Sequence, residues 1–276
     1  MKFILILNSL ILFFIMIIGC STEPTVKVIA HRGGSNLAPE NTRAAFQNAI
    51  NLGVDMIEID VEQTIDSVVV VIHDTKVDRT TNGTGRVDSL SYSYVKTLDA
   101  GSWFDNKYEN EKILTLDETL QLINGRVILL IEIKDGSERY PGIEQRTVDA
   151  IKKFDAHSWT IVQSFNKKAI ERVSLLDKEI ETYYVIGSGF KQYYKELRSQ
   201  IDKDPSIRSG FNGIAVHHRM LSAASVDSLK QFGLGVYTWT VDKPEEMKKM
   251  IDLDVDGIIT DSPDILIDLL KSENTK

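Results

Sequence analysis

Short runs rich in β-branched residues recur along this chain, and between most of them lies an amphipathic segment long enough for a helix. The strand candidates are 26–30, 56–61, 68–72, 127–133, 160–164, 182–186, 213–216, 235–240 and 257–260. Segments such as 41–52, 116–123, 143–154, 167–176, 222–232 and 244–251 carry apolar residues at helical spacing. Strands alternating with helices of this length require right-handed crossovers and a parallel sheet, and about eight such units close into a (β/α)8 TIM-type barrel. The fold expected is therefore α/β. The second and third strand candidates are separated only by 62–67, too short for a helical crossover, so that link must be a hairpin or another helix-free connection. The barrel is expected to be irregular there. Residues 75–112, rich in Asp, Asn, Gly, Ser and Tyr, are long enough to be either functional or a small subdomain with its own structure, and read as a lid or loop-rich insertion over the open end of the barrel after the third strand.

With 276 residues, 42% of them hydrophobic, the chain can bury one large core, and a disordered reading is excluded. Its formal net charge of −8 argues against nucleic acid as a partner, since binders of phosphate backbones need a basic face. The single cysteine, Cys20, forbids an internal disulfide. It ends an apolar run, 3–18, that follows Lys2, and the tetrapeptide Ile17-Ile18-Gly19-Cys20 resembles a bacterial lipobox. On that reading 1–19 is a lipoprotein signal peptide, 20–25 a tether lipidated on Cys20, and 26–276 the folded domain. An uncleaved transmembrane anchor is the alternative. Both place the domain outside the cytoplasm, at the cell envelope and tethered to a membrane. Ser21 after the cysteine, in place of an aspartate, points away from inner-membrane retention if the host has an outer membrane.

In a barrel of this type the chemistry sits where strands end, at the C-terminal face. The first strand candidate ends in His31-Arg32, the second carries Glu58 and Asp60, the third ends in His73-Asp74, and the fourth carries Glu132 and Lys134. Side chains two apart on a strand share a face, so Glu58 and Asp60 point together into the barrel while Ile57, Ile59 and Val61 point out. Adjacent buried carboxylates repel unless a cation joins them, and an all-oxygen set selects Mg²⁺ or Ca²⁺. Glu132 supplies a third carboxylate and Lys134 a cation beside it. A solvated edge-strand pair is the competing reading of Glu58 and Asp60 alone. His31 and His73, two of five histidines, can serve as general base and general acid. Arg32 offers a fork for phosphate oxygens, or a salt bridge to one of the many acids.

Together these segments resemble one family. His31-Arg32-Gly33 through Pro39-Glu40-Asn41-Thr42, Glu58-Ile59-Asp60-Val61, His73-Asp74 running to Gly85, Gly101-Ser102-Trp103-Phe104, Glu132-Ile133-Lys134, Gln163-Ser164-Phe165, Trp239-Thr240-Val241 and Asp256 to Asp261 are similar to the glycerophosphodiester phosphodiesterases. The resemblance implies hydrolysis of glycerophosphodiesters to sn-glycerol 3-phosphate and an alcohol, with a bound Ca²⁺ or Mg²⁺ ion. It implies Glu58, Asp60 and Glu132 as metal ligands and His31 and His73 as the acid/base pair. It implies phosphate contacts from Arg32 and Lys134, with Gln163 and Trp239 as further substrate contacts. Glu40 and Asn41 read as supports for the first loop.

The chain departs from the family pattern at Asp66-Ser67, where Asp-Gly is usual, at Leu114, where proline is common, and at Asp242, where asparagine often follows Trp-Thr-Val. The last departure, beside Trp239, is expected to bear on head-group preference. A lysophospholipase D-like activity, suggested by Tyr92, Tyr94, Trp103 and Phe104 of the insertion, and a non-catalytic phosphodiester-binding surface lipoprotein are the rival readings. The preferred alcohol, the route by water or by a cyclic phosphate, and the oligomeric state stay open.

Overall fold

A computed structural model describes residues 26–203 and 210–273. Within them, nine strands make one sheet: β1 (Lys27–Ala30), β2 (Met56–Gln63), β3 (Val69–Val71), β4 (Ile128–Ile133), β5 (Thr160–Ser164), β6 (Glu181–Ile186), β7 (Gly213–His217), β8 (Gly235–Trp239) and β9 (Gly257–Thr260). Their order is β1-β9-β8-β7-β6-β5-β4-β2-β3, and a further β1–β2 pairing closes the ring. Eight strands pair in parallel, as the crossover argument requires, while β3 pairs antiparallel to β2 with Val61 opposite Val71. The short link, observed as 64–68, is thus a hairpin turn, and β3 hangs on the barrel rather than forming part of it.

The helices are α1 (Arg43–Leu52), the single turn α2 (Tyr92–Val95), α3 (Leu116–Ile123), α4 (Ile143–Lys153), α5 (Lys167–Leu176), α6 (Phe190–Lys203), α7 (Ala223–Gln231), α8 (Pro244–Asp252) and α9 (Pro263–Glu273). Local chemistry sets their starts. The Thr42 hydroxyl accepts from Ala45 N at the head of α1, and Thr115 and Glu118 cap α3 reciprocally. Helix α6 is largely polar, with Phe190 and Leu197 buried in a stretch otherwise dominated by Lys, Gln, Glu and Tyr.

Two apolar layers follow from strand alternation. Outward residues such as Ile57, Ile59, Leu129 and Ile131 pack against the helices, while Ile29, Met56, Leu130, Tyr183, Tyr237 and Ile259 fill the barrel. Tyr183 and Tyr237 stack with ring centroids 4.7 Å apart and share a 3.0 Å hydroxyl contact. Gly257 makes room for them, since a Cβ there would lie 2.7 Å from the Tyr237 ring. This plug leaves polar side chains a place only nearer the strand ends.

The insertion 75–112 is built as a small subdomain. Val77, Val87, Val95, Leu98, Ala100 and Ile113 pack with Val70 and Ile72 of the β3 region into a small core of their own. It is a side subdomain on β3. No helix among the described residues is long and apolar enough to cross a membrane. The apolar run 3–18, the lipobox and Cys20 lie outside the described residues.

Candidate active site

The inward row of β2 runs Met56, Glu58, Asp60, and both acids are only 1% exposed. Strand register places Asp60 beside Glu132 on β4, and Glu132 beside Gln163 on β5. One polar row therefore crosses three neighbouring strands. Glu58, Asp60 and Glu132 each offer an oxygen within 4.8 Å of the others. Lys134 Nζ reaches Asp60 Oδ1 at 2.6 Å and Glu132 Oε1 at 2.5 Å. The solvated edge-strand reading of these acids is excluded.

Charge is unevenly balanced in this cluster. Burial and the neighbouring Asp60 charge push Glu58 up to about 8. Burial opposes ionisation of Asp60 as well, but Lys134 and Arg32 outweigh it and hold that carboxyl well below the usual range. Glu58 is therefore the carboxyl that keeps its proton near neutrality, while Asp60 stays ionised against Lys134 and Arg32. A hard divalent cation fits such a donor set, which contains oxygen alone.

The first strand ends in a tight turn, His31–Gly33, that folds the chain back over β2. Arg32 takes φ +53°, and its N–H donates to Glu58 Oε2 at 3.1 Å. Gly33, at φ +85°, lies where a Cβ would sit 2.8 Å from Ala45 Cβ of α1. The turn carries His31 to 3.9 Å from Glu58, with Nδ1 held by Asp261 Oδ1 at 2.6 Å. His73, after β3, is held likewise by Asp74 Oδ1 at 2.7 Å. The two imidazoles differ electrically. Burial favours neutral His31, but the Asp261 hydrogen bond and the Glu58 charge outweigh it and raise its pKa. Burial lowers His73, helped by the Lys134 and Arg32 charges.

These groups open on a cleft of ≈ 510 Å³ that communicates with solvent. One arc of the barrel, from β1 to β4, gives it His31, Arg32, Glu58, His73, Glu132 and Lys134. The opposite arc is mainly apolar, with Phe165, Val185, Trp239 and Ile259. Gln163 also lines it, and its buried Oε1 has no hydrogen-bond partner among the described residues. Asp60 sits beneath the lining. The indole N–H of Trp239 donates to Ala215 O at 3.0 Å, which leaves only ring surface for the cleft. Arg32 lines the cleft, and its Nη1 makes the salt bridge of its second reading, donating to Glu40 Oε1 at 2.9 Å. Asn41 donates to Asp60 Oδ2 at 2.9 Å, so the Glu40-Asn41 turn does support the first loop.

Tyr92, Tyr94, Trp103, Phe104 and Asp242 are not among the residues lining the cleft. Asp242 Oδ1 accepts from Thr260 Oγ1 at 3.1 Å and Asp261 N at 2.8 Å, bracing the turn after β9. Asp261 itself was not among the candidates, although it too follows a strand directly, as His31 does.

A family model described as the glycerophosphoryl diester phosphodiesterase family matches residues 31–265. A glycerophosphodiester phosphodiesterase of Caldanaerobacter subterraneus is 39% identical over 245 residues, 88% of this chain and 97% of that protein. One from Bacillus subtilis is 30% identical over 255 residues, 87% of this chain and 85% of that protein. A solved Oleispira antarctica phosphodiesterase, in complex with the product sn-glycerol-3-phosphate, superposes with a TM-score of 0.75 at 28% identity, covering 89% of this chain and 96% of the other. The chain belongs to the glycerophosphoryl diester phosphodiesterase family.

Proposed function

We propose that this protein hydrolyses glycerophosphodiesters to sn-glycerol 3-phosphate and an alcohol. The observation that carries the reading is the single cleft in which His31, Arg32, Glu58, His73, Glu132 and Lys134 converge. The relatives' names and the product bound in the Oleispira structure point to the same substrate class.

Glu58, Asp60 and Glu132 would hold a divalent cation, Ca²⁺ or Mg²⁺, which when bound supplies electrostatic stabilisation of the phosphoryl oxygens. Arg32 and Lys134 bind and orient the phosphodiester, spreading its charge in the transition state. One imidazole takes the proton from the attacking hydroxyl as the new O–P bond forms. The other gives a proton to the departing alkoxide as the old P–O bond breaks. Gln163 Oε1 can accept from a substrate hydroxyl, and Trp239 and Phe165 offer apolar surface to the carbon skeleton.

Lipidation of Cys20 would tether the domain outside the cytoplasm. Strand β1 begins at Lys27, at the end of the barrel opposite the strand ends that build the cleft. A tether of residues 20–25 spans about 20 Å at most. The cleft would then face away from the anchoring membrane, which favours soluble glycerophosphodiesters over lysolipids of that membrane. The insertion's aromatic residues, the reason for a lysolipid reading, lie off the cleft.

The test is release of sn-glycerol 3-phosphate from glycerophosphocholine by purified protein, with a lysophosphatidylcholine reaction beside it. Release from the soluble diester is expected. Absence of turnover on both would leave the binding-only reading in its place.

A further inference from the structure

Arg79 follows β3 and is not among the residues lining the cleft, yet its guanidinium grips two carboxylates at once. Nε donates to Asp74 Oδ2 at 2.7 Å and Nη1 to Glu40 Oε2 at 2.7 Å. Nη2 donates to both residues, reaching Glu40 Oε1 at 2.8 Å and Asp74 Oδ1 at 3.0 Å. The oxygens that share Nη2 are the two that hold site residues: Asp74 Oδ1 meets His73 Nδ1 at 2.7 Å, and Glu40 Oε1 accepts from Arg32 Nη1 at 2.9 Å. One nitrogen thus lies between the carboxylate that orients a histidine and the carboxylate that orients the phosphate fork. Two anions brought this close would repel without a cation between them. A lysine ammonium can neutralise them, but it lacks the rigid planar fork that fixes their spacing.

We propose that Arg79 is a positioning residue for the hydrolysis, fixing His73 through Asp74 and Arg32 through Glu40 across the cleft. The proposal rests on the phosphodiesterase reading of the cleft. The competing role is a plain staple between the insertion and the first loop.

The test compares the full-length protein with Arg79→Ala and Arg79→Lys, using glycerophosphocholine turnover and the NMR titration of the His73 ring protons. In both variants kcat is expected to fall by roughly 10- to 100-fold, the effect of misplacing reacting groups by an ångström or less, with KM moving much less. His73 faces Asp74, Asp60, Lys134 and Arg32. Loss of the Arg79 charge beside Asp74 should therefore raise the His73 midpoint in Arg79→Ala. Guanidinium ion at sub-denaturing concentration should restore part of the lost kcat in that variant, and methylammonium should not.

Full kcat in Arg79→Lys would overturn the proposal, because charge alone would then suffice. So would a fall in kcat in Arg79→Ala with His73 titrating as in the parent and no rescue by guanidinium, which is the behaviour of a staple. Should Arg79→Ala fail to fold, Arg79→Lys, which keeps the charge, carries the kcat comparison. A parent protein that turns nothing over would defeat the phosphodiesterase reading, while the His73 titration would still report whether Arg79 controls that imidazole.

Discussion

Asp261 Oδ1 lies 2.6 Å from His31 Nδ1, although the two residues are separated by nearly the whole barrel in sequence. They meet because β9 pairs with β1, with Ala30 beside Thr260, so the residues that follow each strand emerge side by side. The carboxylate holds the proton on Nδ1 and leaves Nε2 to face the cleft and Glu58. A carboxylate behind an imidazole both orients the ring and stabilises its protonated form.

Replacing Asp261 with Asn should therefore cut kcat by about 10- to 100-fold, with little change in the far-ultraviolet circular dichroism. The amide can fill the same space but cannot stabilise an imidazolium as a carboxylate does. Steady-state kinetics of Asp261→Asn decide the point, and near-parental kcat would remove Asp261 from the machinery.

Much of this site is legible in the sequence alone, and the reason is periodicity. A period of two fixed the shared face of Glu58 and Asp60, and strand ends marked His31 and His73, so the residues came together as expected. The pairs that orient them were harder to see. Asp261 and Arg79 act through partners that only barrel closure or loop geometry brings near, and neither relationship has a local spacing rule. The insertion is less legible for a related reason. Its length and composition admit both a lid and a small subdomain, and the core that its Val and Leu residues form with the β3 region has no signature in composition.

The carboxylate cluster predicts a cation dependence that shows in stability as well as turnover. With Glu58 raised to about 8 by burial and by Asp60, the ion-free site keeps that carboxyl protonated near neutrality, and a bound cation should displace the proton and compensate the buried carboxylates. Chelation with EDTA should abolish activity and lower the thermal midpoint, and Ca²⁺ or Mg²⁺ should restore both, because a ligand bound only by the folded state stabilises it by mass action. Glu58→Gln should weaken ion affinity by about 100-fold or more, since a direct ligand matters at least as much as the groups behind it. Full activity and an unchanged midpoint after complete chelation would defeat the cation assignment.

Asp74 gives the acid limb of stability a specific contribution. Hydrogen bonding from Arg79 holds its carboxyl down at about 2, against an ordinary value of 3.8. The folded protein thus binds this proton less tightly than the unfolded chain does. The stabilisation is complete above the unfolded value and is lost as pH falls from about 4 towards about 2. Urea midpoints measured across that window should fall less steeply for Asp74→Asn than for the parent. Parallel curves would show that the contact adds nothing to folding.

Ser67 stands in the hairpin between β2 and β3 at a position whose backbone favours glycine. Its backbone sits at φ +64°, a left-handed conformation in which a Cβ crowds the neighbouring carbonyl. The turn is closed by Ser67 N donating to Thr64 O at 2.9 Å, while Thr64 Oγ1 donates to Asp66 Oδ1 at 2.7 Å, so the conformation is fixed by its neighbours. Glycine would relieve the crowding but add freedom to the unfolded chain, two effects of opposite sign and unequal size. The steric term is the larger, so Ser67→Gly should stabilise the protein by about 0.5–1 kcal/mol. It should leave kcat unchanged, because Ser67 is not among the residues lining the cleft. Equilibrium urea unfolding measures the difference, and a variant less stable than the parent would mean that the serine side chain contributes something this turn geometry does not show.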